Sequence, residues 1–411
     1  MIRGAFSGGG SFFTGIIIYI CLALTTTMKK ITFFLIVATF FADLPTFAQE
    51  NDGDRVITTA VPFLLVAADA RAAGMGDQGV ATSPDVFSQQ WNPAKYAFIT
   101  RENGVAVSYT PYLSEIVNDI FLGSLNYFHK LNDRSTVAAS LRYFSLGSIE
   151  TRQGFEDLPL LVSPNQFTFD LSYALKLSET LSMAVAGRYL RSDLGLQDAE
   201  DLGAASTFGV DVAAYYEGEE LVLSNFDGQW RLGAAISNIG PKMKYDDSGQ
   251  ENFIPTNLKL GAGFDFIFDA DNRLGTYVEF NKLLVPTPQD FDGDGDIDAE
   301  DDEEYNSTGS IAGIFESFGD APDGFSEELQ EVTLSLGAEY WYREKFALRA
   351  GYFNESEEKG FRKFFSLGAG FAYEDIIIDA SYLFSTSSVP SPLEGTLRFG
   401  LSFNFGDSYN N

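Results

Sequence analysis

The chain has 411 residues, and its 27 Lys and Arg against 58 Asp and Glu give a formal net charge of −31 at pH 7. Such an acidic chain is not suited to binding nucleic acid, because phosphate recognition needs a basic surface. One Cys and one His exclude a disulfide framework and leave too few ligands for a Cys/His zinc site. The 38 Phe, 19 Tyr and 39 Gly are typical of a β-rich protein.

Residues 1–48 are predicted to be a signal peptide. From Met28 the sequence has two lysines, an apolar run and a cleavage pattern that ends at Ala48. Residues 1–27 contain another apolar stretch, FFTGIIIYICLAL, of about 13 residues where a spanning helix needs roughly 20. We interpret residues 1–27 as an extension upstream of a true start at Met28, with a transmembrane helix as the alternative.

Residues 104–405 alternate apolar and polar residues with a period of two. In the segment 165–176, for example, Phe167, Phe169 and Leu171 lie on one face and polar residues on the other. Most such segments are longer than the roughly 5–6 residues of globular strands and match the roughly 9–11 of membrane strands. Fourteen strands are predicted, at 104–111, 119–130, 134–147, 165–176, 181–194, 204–216, 228–239, 257–269, 273–284, 332–341, 345–353, 362–372, 376–385 and 394–405.

The connections between these segments alternate in length, and the longest are 148–164, 240–256 and 285–331. Outer-membrane barrels have short periplasmic turns and longer outer loops, and an even number of strands puts both ends of the barrel on the periplasmic side. We therefore predict an all-β fold, a transmembrane β-barrel of 14 antiparallel strands, with a C-terminal tail at 406–411. A soluble β-sandwich or a secreted repeat protein is the alternative.

The polar face of the predicted strands carries charges of both signs. Equal numbers of positive and negative charges predict a paired internal network, since a ring of one sign would instead indicate ion selectivity. Six basic and six acidic side chains point into the lumen in this register: Arg142, Arg188, Arg231, Lys259, Arg349 and Arg398, and Asp170, Asp211, Asp265, Glu279, Glu339 and Asp379.

Residues 49–103 precede the predicted barrel and lack the pattern of a membrane strand. Several glycines and prolines make this segment rich in loops, while residues 61–68 are apolar. A barrel of 14 strands has a lumen wider than its own side chains can fill. We therefore predict an N-terminal hatch that folds into the lumen, with a disordered periplasmic tail as the alternative.

The sequence closely resembles the PorV (LptO) family of outer-membrane barrels of the type IX secretion system. The resemblance rests on AVPFLLVAADARAAGMGDQGVATSPDVFSQQWNPAKYAF, followed by VSYTPYL, LRYFSLG, RYLRSDL and GAAISNIGPKMKY. It extends from about Ile57 to the C-terminus and weakens in 285–331. Asn92, Pro93 and Ala94 also match the hatch motif of the wider FadL-like superfamily of long-chain fatty-acid transporters.

The resemblance implies a cargo shuttle embedded in the lipid bilayer, with no enzymatic activity and no required cofactor. Such proteins collect secreted cargo by its C-terminal signal domain at the giant translocon barrel. They deliver it to a surface attachment complex that contains a sortase-like protease. The alternative is an outer-membrane channel for hydrophobic solutes, in which a kink at Gly187 or Gly233 would open the wall. The sequence does not support a third role, that of a hydrolase, because its single histidine, His129, is not part of a Ser/His/acid arrangement.

The outer loop 148–164 is predicted to contact a protein partner. It contains four apolar residues that an exposed loop rarely carries without a binding role: Phe155, Leu158, Leu160 and Leu161. The alternative is that these side chains pack on the rim of the barrel.

Residues 290–304 have ten acids and no base, in a spacing that fits a calcium loop. Gly295 stands at position 6, where such loops turn sharply, and Asp301 replaces the usual Glu at position 12. The alternative is a solvated acidic loop without metal. The candidate Ca²⁺ ligands are Asp290, Asp292, Asp294, Asp296, Asp298 and Asp301.

Overall fold

The structure, a computed structural model, describes residues 55–409 apart from 114–116, 153–158, 196–202, 246–250, 294–296, 298 and 387–393. The predicted signal peptide lies outside the described residues. Within the described part of the chain, no helix has the length and apolar character needed to cross a membrane.

Fourteen long strands form one closed antiparallel sheet. Each strand pairs with its neighbours in sequence, and the first also pairs with the last, with Tyr109 opposite Phe399. The predicted 14-stranded all-β barrel is confirmed. The strands are β1 (Arg101–Pro111), β2 (Ile120–Asn132), β3 (Ser135–Leu146), β4 (Asn165–Lys176), β5 (Leu181–Asp193), β6 (Ala205–Glu217), β7 (Asp227–Ile239), β8 (Asn257–Ile267), β9 (Asn272–Leu283), β10 (Val332–Tyr342), β11 (Phe346–Asn354), β12 (Lys363–Tyr373), β13 (Ile376–Ser385) and β14 (Leu397–Ser408).

The strand ends differ slightly from the predicted ones. β1 begins at Arg101, earlier than predicted, and β14 continues to Ser408, inside the predicted tail. The reason is that Arg101 and Ser408 pair with each other, which continues the ladder past the apolar segments. A short strand, Leu221–Val222, also pairs with the start of β7 in a connection that was predicted as a loop.

The period-two pattern separates the two faces of the sheet as predicted. In β4 the side chains of Leu171 and Tyr173 are 55% and 46% exposed, whereas Asp170 in the same strand is fully buried. An apolar outer face and an enclosed polar inner face are what a barrel surrounded by lipid needs.

Residues 55–100, which we call the lumen segment, run from the outer rim into the barrel. They form two α-helical turns, Ala70–Ala73 and Ser88–Trp91, and two 3-10 helices, Pro62–Leu65 and Pro93–Phe98. One end of the segment packs beneath the outer rim, where the Phe63 ring stacks on Phe144 of β3 at 5.6 Å between centroids. The other end packs towards the periplasm, where Phe98 meets Tyr215 of β6 at 5.6 Å. Side chains of the segment therefore pack on the wall towards both ends of the lumen, and a cavity of about 330 Å³ remains beside Arg71, Asp85 and Phe98.

The outer connections carry the remaining structure. A small hairpin pairs Ile149–Thr151 with Leu160–Val162, and a second pairs Met243–Lys244 with Glu251–Asn252. The long connection from β9 to β10 contains three helices, α1 (Ala299–Ser307), α2 (Ser310–Glu316) and α3 (Phe325–Gln330). A 3-10 turn, Glu357–Lys359, follows β11. These connections form the outer rim.

Candidate functional site: the lumen segment and the outer rim

The lumen segment lies directly on the barrel wall where inward-facing glycines leave room for its backbone. A Cβ atom on Gly351 of β11 would lie 2.0 Å from the Gly76 nitrogen, and one on Gly233 of β7 would lie 2.0 Å from the Val80 carbonyl oxygen. A side chain at either position would therefore push the segment away. Gly76 itself has φ +80°, a conformation that favours glycine. The segment is packed against the strands and is not loosely enclosed.

The predicted hatch motif attaches the lumen segment to β5 and β6. The Asn92 side chain donates to the Ala214 carbonyl of β6 at 2.9 Å and accepts from the Ala94 nitrogen at 3.0 Å. Pro93 begins the last helix of the segment, at a position where its missing N–H has no partner to lose. Ser182 of β5 donates to the Ala94 carbonyl at 2.7 Å. The motif therefore holds the end of the lumen segment on the inner wall of the barrel.

All twelve charged side chains that were predicted to face the lumen are buried. Arg188 lies between Asp170 and Asp211 and donates to both carboxylates. The charges of Arg188, Asp170 and Asp211 are tolerated in the barrel interior because these three groups are paired and hydrogen-bonded. Removing one partner of a buried pair costs about 3–5 kcal/mol, since it leaves the other charge uncompensated.

Part of this network belongs to the lumen segment, which the strand pattern could not indicate. Arg71 donates to Glu339 of β10 at 2.7 Å and to Asp85 of its own segment at 2.5 Å. Arg349 of β11 donates to the same Glu339 at 2.8 Å. A lone arginine in an alanine-rich apolar run was the only sequence signal for this role.

Besides Glu339, three more predicted lumen residues bind the lumen segment directly. Arg398 forms an ion pair with Asp77 at 2.9 Å. Glu279 accepts from two backbone N–H groups of the segment, both at 2.8 Å. The Lys259 ammonium lies 4.5 Å from the centre of the Trp91 ring. The charged network thus joins the strands to the segment as well as to each other.

The lumen segment begins at the outer rim. Arg55 forms ion pairs with Asp323 at 3.3 Å and with Glu327 at 3.2 Å, both in the long outer connection. The Ala60 nitrogen donates to the Phe253 carbonyl of another outer connection at 2.8 Å. The chain therefore descends from the outer rim through the lumen before β1 starts at the periplasmic end.

Helix α3 is held on the rim by buried ion pairs. Glu327 binds Lys359 at 2.6 Å, Glu328 binds Lys282 at 2.9 Å, and Glu331 just after the helix binds Lys359 at 3.1 Å. All five side chains are at most 9% exposed. Sequence reasoning missed this cluster, because its lysines come from β9 and from the turn after β11.

The pKa values of two rim carboxyls shift in opposite directions. Burial raises the pKa of Asp320 to about 6, and the neighbouring Glu331 adds to the rise against a hydrogen bond from the Thr287 nitrogen. Burial also acts to raise the pKa of Glu327, but its bonds to Lys359 and other groups outweigh burial and hold the pKa below its usual value.

The predicted partner-binding loop is described only in part. Leu160 and Leu161 lie in the outer hairpin and are 48% and 64% exposed. Phe155 and Leu158 lie outside the described residues. The role of this loop stays a prediction.

The predicted calcium loop brings three of its acids together. Carboxylate oxygens of Asp290, Asp292 and Asp301 lie within 4.8 Å of one another, at positions 1, 3 and 12 of the loop. Ca²⁺ takes six to eight oxygen ligands, so three convergent carboxylates fit part of such a shell. Asp294, Asp296 and Asp298 lie outside the described residues. Calcium binding stays a prediction.

A comparison with protein families identifies the family of this chain. The family described as type IX secretion system protein PorV matches residues 48–290, which is more than half of the chain. The chain belongs to the PorV family. This PorV-family protein therefore resides in the outer membrane and takes part in type IX secretion, as the resemblance implied. None of the curated proteins matches the chain.

Solved structures that the chain resembles in fold include two hydrocarbon transporters or channels and a FadL homologue. The toluene transporter TodX of Pseudomonas putida is 12% identical, with a TM-score of 0.47, over 85% of this chain and 99% of that one. The CymD monoaromatic hydrocarbon channel is 14% identical, with a TM-score of 0.46, over 83% and 98%. A FadL homologue of Pseudomonas aeruginosa is 11% identical, with a TM-score of 0.41, over 86% and 100%. At such low similarity, the substrates of those proteins do not indicate a substrate for this PorV-family chain.

Proposed function

We propose that this PorV-family protein is a non-enzymatic shuttle for secreted proteins. It binds the C-terminal signal domain of cargo that emerges from the giant translocon barrel. It then delivers the cargo to the surface attachment complex with its sortase-like protease. Its working surface is the outer rim, and the barrel serves as a membrane anchor.

The observation that carries this proposal is the lumen segment, which obstructs the barrel of a type IX secretion protein. A channel needs a continuous path, but here the lumen segment is packed on glycines of the wall and joined to the strands by buried charges. Moving the segment would break the Arg71–Glu339 and Arg398–Asp77 ion pairs, and loss of one partner from a buried pair costs about 3–5 kcal/mol. A barrel closed in this way is suited to function through its surfaces.

The alternative, a channel for hydrophobic solutes, needs an opening in the wall. Gly187 keeps regular pairing with Leu171 and Val210, and Gly233 keeps regular pairing with Tyr215 and Gly261. Neither glycine forms the kink that the alternative required. Gly233 instead makes space for the lumen segment.

The surroundings of His129 support a role without catalysis. Its Nδ1 atom lies 2.8 Å from Asn103 Oδ1, at the periplasmic end of β2. A Ser/His/acid triad needs a carboxylate that orients the imidazole and a hydroxyl that it activates. An amide at the periplasmic end of a strand supplies neither function.

An affinity pull-down from detergent-solubilised outer membrane tests the proposal. The tagged full chain is compared with an unrelated tagged outer-membrane barrel, and the eluates are analysed by mass spectrometry. We expect proteins that share a C-terminal signal domain, together with the translocon barrel or the attachment complex. Recovery of the tagged chain alone, with a fatty acid or another apolar ligand in its lumen, would contradict the shuttle and favour the channel.

A further inference from the structure

Helix α3 of the outer rim has its charged side inside and its apolar side outside. Glu327 and Glu328 are 4% and 8% exposed, whereas Phe325 and Leu329 are 77% and 57% exposed. Surface helices normally have the opposite orientation, with an apolar stripe on the core and charges in water. An exposed large apolar group beside a buried charge is the informative exception, and it needs a reason.

The reason for the buried side is the set of cations beneath the helix. Lys282 and Lys359 hold the glutamates from the strand and the turn below, and Arg55 adds a contact from the lumen segment. These ion pairs fix which side of the helix faces outward. They give no reason for the apolar residues on the other side, which gain nothing from water.

Helix α2, in the same connection, shows the same tendency. Ile311 and Phe315, one helical turn apart, are 58% and 74% exposed, and Phe318 just beyond the helix is 54% exposed. Gly313, on the inner side of this helix, packs against Pro286. Two consecutive helices of one outer connection thus present large apolar side chains to the outside. Exposed groups of this kind mark interaction surfaces.

Charge decides what kind of partner fits. Residues 285–331 contain sixteen Asp and Glu and no Lys or Arg. An anionic lipid surface would be repelled by such a loop, and so would an acidic protein. A protein surface with an apolar centre and a rim of Lys or Arg is complementary in both respects, because interfaces place apolar anchors centrally and charges at the edge.

We infer that the outward face of α3, with Phe325 and Leu329 as apolar anchors, is the docking surface for the C-terminal signal domain of the cargo. This inference rests on the proposed function and adds to it the location and the chemistry of the contact. The signal domain is expected to present an apolar patch bordered by Lys or Arg. The ion pairs beneath α3 keep the docking face turned outward.

A binding assay with purified full chain in detergent tests the inference. The probe is the recombinant C-terminal signal domain of one protein secreted by the same bacterium, fused to a fluorescent protein, with the fluorescent protein alone as blank. We expect the double variant Phe325→Ser/Leu329→Ser to weaken binding at least about tenfold, because buried anchors carry most of the energy of an interface. Raising the salt concentration should weaken binding of the unchanged chain.

A matched control separates this surface from the other outer patch. Leu160→Ser/Leu161→Ser removes two exposed leucines from the outer hairpin and should change the affinity less than about twofold if α3 is the anchor. Equal binding by the α3 variant and the unchanged chain, or loss of binding only in the hairpin variant, would overturn the inference. Failure of the unchanged chain to bind the signal domain would instead contradict the proposed function.

Discussion

At the level of single residues, glycines of the wall decide whether the lumen segment fits. Gly351→Ala adds a methyl group whose carbon would lie only 2.0 Å from the Gly76 nitrogen, so the lumen segment would have to move. We expect the variant to unfold at a lower temperature, by an amount that corresponds to about 1–3 kcal/mol, which is usual for overpacking. Heat-dependent migration of the folded barrel on gels gives the midpoint.

The control for this variant is Gly187→Ala. Gly187 lies in β5, and a Cβ atom there would meet nothing within 4 Å. The thermal unfolding midpoint of Gly187→Ala should equal that of the unchanged chain. Equal midpoints for Gly351→Ala and the unchanged chain would show that the segment does not rest on the wall at Gly351.

The contacts of individual lumen residues were only partly predictable. The period of two placed Asp170 and Arg188 inside, because alternation is a local property of a strand. The pair of Arg71 with Glu339 was not predictable, since 268 residues separate the two in sequence. The same holds for Arg398 and Asp77, which are 321 residues apart. Such pairs form only once the lumen segment is inside the closed barrel.

At the level of elements, the long outer connection should respond to pH through Asp320. Its folded pKa of about 6 lies above the usual value, so the folded state favours the protonated carboxyl. Stability from this group is therefore present at low pH and is lost as the pH rises from about 4 to 6. Asp320→Asn keeps an acceptor for the Thr287 nitrogen and removes the buried charge.

We expect Asp320→Asn to raise the unfolding midpoint at pH 8 and to change it little at pH 4. Thermal unfolding of both chains at the two pH values measures the difference. The control is Glu220→Gln, which changes an exposed acid on the periplasmic side. Its midpoint should match that of the unchanged chain at both pH values. A larger effect of Asp320→Asn at pH 4 than at pH 8 would refute the raised pKa.

The acidic loop before α1 leads to a second prediction at this scale. If Asp290, Asp292 and Asp301 hold Ca²⁺, a hundredfold excess of calcium over the dissociation constant should raise the free energy of unfolding by about 2.7 kcal/mol and with it the unfolding midpoint. Asp301→Asn should remove most of this effect, and Asp133→Asn in a periplasmic turn should leave it intact. A shift of the same size with Mg²⁺, or in the Asp301 variant, would count against a specific site.

The orientation of α3 shows the limit of pattern reasoning for short elements. Phe325 and Leu329 lie four residues apart, and this spacing predicts an apolar side that packs on the core. The structure has the reverse, because Lys282 and Lys359 attract the glutamates to the rim. The barrel strands were predictable because fourteen segments repeat one pattern, whereas a six-residue helix offers no repetition.

For the whole molecule, the path of the chain predicts on which side of the outer membrane its first described residues are exposed. Val56 is next to Arg55 on the outer rim and is 40% exposed. In intact cells, a membrane-impermeant maleimide should label Val56→Cys. Asp133→Cys, in the turn between β2 and β3, should be labelled only after the outer membrane is opened. Labelling of Asp133→Cys alone in intact cells would mean that the barrel has the opposite orientation in the membrane.

This PorV-family barrel is expected to serve protein export by binding cargo at its outer rim and to conduct nothing through its lumen. The most direct measurement follows cargo and solute in the same cells, with the gene deleted and then restored. We predict that deletion retains proteins with C-terminal signal domains inside the cell envelope and leaves the uptake of a fluorescent fatty acid unchanged. Normal secretion together with lost uptake, both reversed by restoring the gene, would contradict the role in export and favour a channel.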